Sequence, residues 1–114
     1  MPTEAVIDLE HLARYTGGDA ALNREILRLF EMQTCEMVAK LRTILDARDA
    51  KSWKEVTHTI KGAARGVGAF AMADAAAQCE LLGVIDVDIT AMAIAKLKSE
   101  TERVQAFVKA LYAA

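Results

Sequence analysis

The chain is poor in residues that interrupt or cross-link a fold. Among 114 residues there is one proline, Pro2, and only six glycines, so little stands in the way of long uninterrupted helices. Cysteine occurs twice, as Cys35 and Cys79, with no C-x-x-C pair and no histidine at ligand spacing from either. Dithiol and zinc-knuckle chemistry are thereby excluded, and both thiols are expected to be buried and reduced. The two histidines, His11 and His58, form no H-x-x-x-H motif, so no metal site is expected, and His11 reads as solvated surface. Aromatic residues make up 5% of the chain; Trp53 and the methionines beyond the initiator stand at core spacing, which leaves no cofactor box.

Charge of one sign is also lacking. Sixteen acidic residues face 14 basic ones for a net charge of −2, which gives no global attraction to nucleic acid or anionic lipid. No run approaches the roughly 18 consecutive apolar residues of a membrane span, and the opening MPTEAVIDLE has neither a basic nor an apolar leader segment, so a cytoplasmic protein is expected. What is present is a 54% hydrophobic composition, enough to offset chain entropy in one domain over residues 1–114.

Helical periodicity accounts for nearly all of it, and the fold class is all-α. Asp8 predicts the cap of a short helix that runs to Thr16 and stops at Gly17 and Gly18. Asp19 caps a long helix reaching about residue 47, with Leu22, Ile26, Leu29, Phe30, Met37, Leu41, Ile44 and Leu45 as its apolar stripe. After a polar break at Arg48 and Asp49, a third helix turns Trp53, Val56, Ile60, Ala63, Ala64 and Val67 inward and ends at Gly68. An Ala-rich fourth helix spans Phe70 to Leu82 before Gly83. A last helix starts near Asp88 or Thr90, with Met92 or Ala93, Leu97, Val104, Phe107, Val108 and Leu111 inward and Lys96, Lys98, Glu100, Glu102 and Arg103 outward. Short connections predict an antiparallel up-down four-helix bundle, with the short N-terminal helix closing one end.

One constellation carries chemistry. At about 100° per residue, His58 points away from the apolar stripe of its helix, and Lys51, Lys54, Lys61, Gly62 and Arg65 share its face. Only Glu55 answers these cations within the helix, so an acidic chain mounts a basic strip around one exposed imidazole. Gly62 is unexpected there, since a glycine in a helix interior costs about 1 kcal/mol relative to alanine. It clears the space one turn from His58 for a bulky partner, and Gly66 either widens that clearance or marks the fraying end of the helix. Neutral imidazole is a nucleophile near neutral pH, and surrounding cations favour a phosphoryl group once it is attached. No phosphate loop or kinase motif occurs, so ATP chemistry is not expected.

His58, Lys61, Gly62, Gly68 and Ala69, in the segment HTIKGAARGVGA, resemble the H-x-x-K-G-(S/A)-(S/A)-x-x-(L/I/V)-G-A signature of histidine-containing phosphotransfer (HPt) domains, and IDLEHLARYTGGDAALNREILRLF is similar to the family's first two helices. The resemblance implies a phosphorelay intermediate. His58 would accept a phosphoryl group from the aspartyl phosphate of a hybrid kinase's receiver domain and pass it to a response regulator. Lys61 would neutralise the phosphoryl group, Gly62 would admit the partner, and Lys54 and Arg65 would border the docking surface. The family implies no cofactor of the chain's own, with Mg expected in the partner receiver, and a monomer as the working form. Arg65 and Gly66 stand where small or amide residues are frequent, and Glu80 stands where some relatives carry a glutamine that orients the histidine. Gln78, about 200° around the helix, is not placed to substitute for it. The competing expectation is an HPt-like interaction module that occupies a kinase or receiver without phosphotransfer.

Overall fold

A computed structural model describes residues 6–113, which form five α-helices and no strand. Pro2 lies outside the described residues. The helices are α1 (Leu9–Thr16), α2 (Ala20–Asp46), α3 (Ala50–Val67), α4 (Phe70–Leu82) and α5 (Val87–Leu111). Aspartates set the start of four of them: the side chains of Asp8, Asp19, Asp49 and Asp86 accept from the backbone N–H groups of His11, Leu22, Ser52 and Ile89 at 2.9–3.1 Å. Asp86 therefore starts α5 earlier than the Asp88 or Thr90 expected from sequence. Thr90 is not a cap, and its hydroxyl instead donates to Gly83 O at 3.0 Å. Arg48 closes the α2–α3 turn in a left-handed conformation at φ 54, from which its guanidinium reaches Ile85 O at 3.2 Å.

The four longer helices form a closed ring of neighbours. α2 packs on α3 and α5, and α4 packs on the same two, while α1 lies against α2 and α3. Leu27, Leu41 and Leu45 of α2, Trp53, Ile60 and Ala64 of α3, Met72 and Ala76 of α4 and Leu97 of α5 fill the centre. Alanines on α4 let its backbone approach both neighbours closely. The α3–α4 corner is tight: Gly68 ends α3 at φ 86, and a Cβ there would stand 2.7 Å from Asp8 O. Asp8 N–H donates to Gly68 O at 2.9 Å, so this glycine both stops α3 and admits the start of α1.

Burial departs from the expected stripes where helices are long. Leu22 and Leu29 are exposed, because the buried line of α2 runs through Leu27, Phe30, Thr34, Val38, Leu41 and Leu45 and leaves those two about 120–140° away. Thr34 occupies that line because its hydroxyl donates back to Phe30 O at 2.7 Å. On α5, Met92 is 74% exposed and Leu111 is also exposed, whereas Glu100, expected outside, is 4% exposed and answered by Lys96 and Arg103. Met32 is exposed as well. His11 is half-buried rather than solvated, its ring edge-on to Phe70 and Tyr15. Cys79 is buried, and desolvation pushes its thiol up to about 11; Cys35 is only half-buried and accepts from Gln105 Nε2 at 2.8 Å. No helix among the described residues is long and apolar enough to cross a membrane.

Candidate functional site

The outward face of α3 is set by what its other face buries. Trp53, Thr57, Ile60, Ala64 and Val67 point into the bundle, which turns His58 out with 70% of its side chain exposed. Lys51, Lys54, Gly62 and Arg65 are exposed on the same side, as the spacing requires. Lys61 departs from this strip. Its side chain is only 17% exposed, because it leans towards α4 and donates from Nζ to Glu80 Oε1 at 2.6 Å. The counter-charge at the site is thus Glu80 of the neighbouring helix; Glu55, the acid expected to answer the cations, forms no ion pair among the described residues.

Glu80 has a second partner. Its Oε2 lies 3.1 Å from His58 Nδ1, so one carboxylate holds both the imidazole and the ammonium. Lys61, chiefly by that hydrogen bond, holds the Glu80 carboxyl below the usual carboxylate range against partial desolvation, with His58 adding to the effect. An ionised carboxylate only accepts, so Nδ1 donates to it, and in the neutral form of the ring Nε2 is the unprotonated, exposed edge. Glu80 owes its place to the buried packing beneath it. Trp53 Nε1 donates to Cys79 O at 2.9 Å and pins the last turn of α4 against α3 one residue before the acid. Gln78 is exposed and takes no part.

On the other flank of His58 the surface is bare. A Cβ at Gly62 or Gly66 would meet nothing within 4 Å, so neither glycine is required by contacts inside the molecule. Beyond them a shallow groove between α2 and α3 is lined by Ile26, Leu29, Phe30, Gln33, Ala63 and Val67. Sequence reasoning missed this groove by assigning Leu29 to the core. The available signal was the width of the α2 apolar stripe, which exceeds what one buried line can use. Lys51, Lys54 and Arg65 form no ion pair among the described residues, and no group of His, Cys, Asp or Glu there could hold a metal ion.

A family model described as Hpt domain matches residues 25–107. Among solved structures, the histidine-containing phosphotransfer protein B from Pseudomonas aeruginosa PAO1 is similar in fold, with a TM-score of 0.80 at 20% identity over 94% of each chain. No curated protein matches the sequence.

Proposed function

Since the chain belongs to the Hpt domain family, we propose that it is a phosphorelay intermediate in which His58 Nε2 takes a phosphoryl group from the aspartyl phosphate of a hybrid kinase's receiver domain and returns it to the aspartate of a response regulator. One observation carries this reading: an exposed imidazole whose inner nitrogen is held by Glu80 and whose outer nitrogen is free to attack. Transfer of this kind needs in-line positioning and charge neutralisation more than covalent machinery. Lys61 stands one turn from His58 to neutralise the phosphoryl oxygens, and Arg65 and Lys54 supply a wider positive rim facing an acidic receiver pocket. The Mg belongs to that pocket, and the chain needs no cofactor of its own and has no kinase activity towards ATP.

Receivers dock from the glycine flank. Gly62 lets the partner backbone come within one turn of His58, and the groove along Ile26, Leu29 and Ala63 supplies apolar contact beside the charged site. The ring of helix neighbours and the short connections support an antiparallel up-down arrangement of α2–α5, which leaves α3 rigid under the docking partner. The chain acts in the cytoplasm, as a monomer, without nucleic-acid or membrane partners.

Incubation with a phosphorylated receiver tests the proposal. Acid-labile, alkali-stable label is expected on the wild-type chain and absent from His58→Gln. A chain that binds the receiver tightly yet never becomes labelled would instead be an interaction module that blocks its partner.

A further inference from the structure

The cations on the His58 face of α3 are not equivalent. Lys61 is already committed, since its Nζ donates to Glu80 Oε1 at 2.6 Å and its side chain is 17% exposed. Lys51, Lys54 and Arg65 are exposed and form no ion pair among the described residues, and Asp74, the other acid of α4, forms none either. A side chain on an α-helix slants towards the helix N-terminus and covers the turn before its own Cα. Lys51 and Lys54 precede His58 and so slant away from the imidazole, whereas Arg65 follows it by two turns and slants towards it. The lane between Arg65 and His58 is bare. Lys61 leans out of it towards α4, and Gly62 puts no side chain into it, a Cβ there meeting nothing within 4 Å.

Taking His58 as the phosphoryl acceptor, we propose that Arg65 is a ligand of the phosphoryl group on the loaded chain, its guanidinium lying back across Gly62 to hold two phosphoryl oxygens. Seven residues of helix separate the two Cα atoms by about 10.5 Å along the axis. An extended arginine slanting back from Arg65 and a phosphoryl group standing off Nε2 close that gap from its two ends. Nδ1 is turned to Glu80, which leaves Nε2 on the solvent side, where the lane opens. The planar guanidinium matches two oxygens of a phosphoryl group bidentately, a geometry that an ammonium does not offer. Lys61 has to share its charge with Glu80, while Arg65 has no competing acid. In the unloaded chain the arginine stays in water, and only the phosphorylated ring supplies the negative charge that draws it in. The contact therefore belongs to the loaded state alone. Gly62 then has a use within the chain as well as at the docking surface, since a side chain there would stand in the way of the arginine.

The test separates a ligand of the loaded state from a docking residue. A contact made only with a bound receiver changes the rate of exchange in both directions and leaves the equilibrium alone, whereas a contact within the phosphorylated chain shifts the equilibrium. Equal amounts of wild type and Arg65→Ala are mixed with a trace of a receiver domain and a limiting amount of potassium phosphoramidate. The receiver shuttles phosphoryl groups between the two chains, and mass spectrometry reads how much each holds once exchange is complete. Wild type should hold about tenfold more, the worth of a charge-assisted hydrogen bond. Arg65→Lys, which keeps the charge without the fork, should recover only part of that ratio. Lys54→Ala removes an equal charge from the side that slants away and should shift the ratio far less. Equal loading of wild type and Arg65→Ala would overturn the proposal, and so would an equal shift in Lys54→Ala, because a diffuse positive field would then replace a contact. Nitrogen-detected NMR of the wild-type Arg65 side chain gives an answer that needs no variant. Its Nε–H resonance should move on phosphorylation and return on hydrolysis, and an unmoved resonance would refute the contact. Phosphoryl label that persists in His58→Gln would overturn the assignment of His58 itself, a separate result.

Discussion

The two flanks of His58 are built on opposite plans. Towards α4 the ring is held: Trp53 donates to Cys79 O, and Glu80 binds both the imidazole and Lys61. Towards α2 no hydrogen bond or ion pair reaches it among the described residues, Gly62 and Gly66 leave open space, and Ala63 borders a shallow apolar groove. The comparison teaches that one helix can serve two demands that conflict at a single residue. The nucleophile must be fixed in orientation and also accessible to a macromolecule, and dividing fixation and access between opposite sides of α3 satisfies both.

The largest effect should come from removing what the two flanks share. His58→Gln is expected to abolish labelling by a phosphorylated receiver while changing stability by no more than about 0.5 kcal/mol, as measured by chemical denaturation, because the side chain faces water. On the open flank, Gly62→Gln should fold yet slow receiver-dependent transfer by about thirtyfold, the cost of obstructing a well-packed interface residue. Its labelling by potassium phosphoramidate should stay at the wild-type level, since so small a donor does not use the flank. Equal losses with both donors would mean that the two flanks are not separate.

On the held flank, Lys61→Ala should slow transfer from the receiver by about tenfold, which corresponds to about 1.4 kcal/mol in the barrier. Transfer at the wild-type rate would shift phosphoryl neutralisation to Arg65. The smallest effect is the pH dependence of that flank. The Glu80 carboxyl is held below its ordinary range, so its contribution to stability is present above that range and is lost as pH falls through the lowered value. The difference in Tm between wild type and Glu80→Gln should accordingly be seen at neutral pH and vanish in acid; a constant difference would mean that the carboxylate's charge is not what matters.

The open flank was legible in the sequence and the held flank much less so, for a physical reason. His58, Gly62 and Arg65 share a face by helical spacing alone, and the aspartate caps and Gly17, Gly18, Gly68 and Gly83 mark helix ends through local backbone chemistry. Glu80 meets His58 only because α3 and α4 take a particular relative rotation, which tertiary packing sets and no window of sequence contains. The same limit explains Leu29 and Glu100. Each lies on a helix longer than one buried line can use, and which side turns inward is decided by neighbours distant in the chain.

The contact between Asp8 and Gly68 ties the start of α1 to the far end of α3. In hydrogen-exchange terms, the Asp8 amide precedes the first helix, has no partner within it, and would ordinarily trade its proton readily. Here it can exchange only when the α3–α4 corner opens, so its protection should follow that of the Ala69 amide, which donates to Ala64 O at 2.8 Å. The short N-terminal helix then opens with the core of the molecule rather than as a loose appendage.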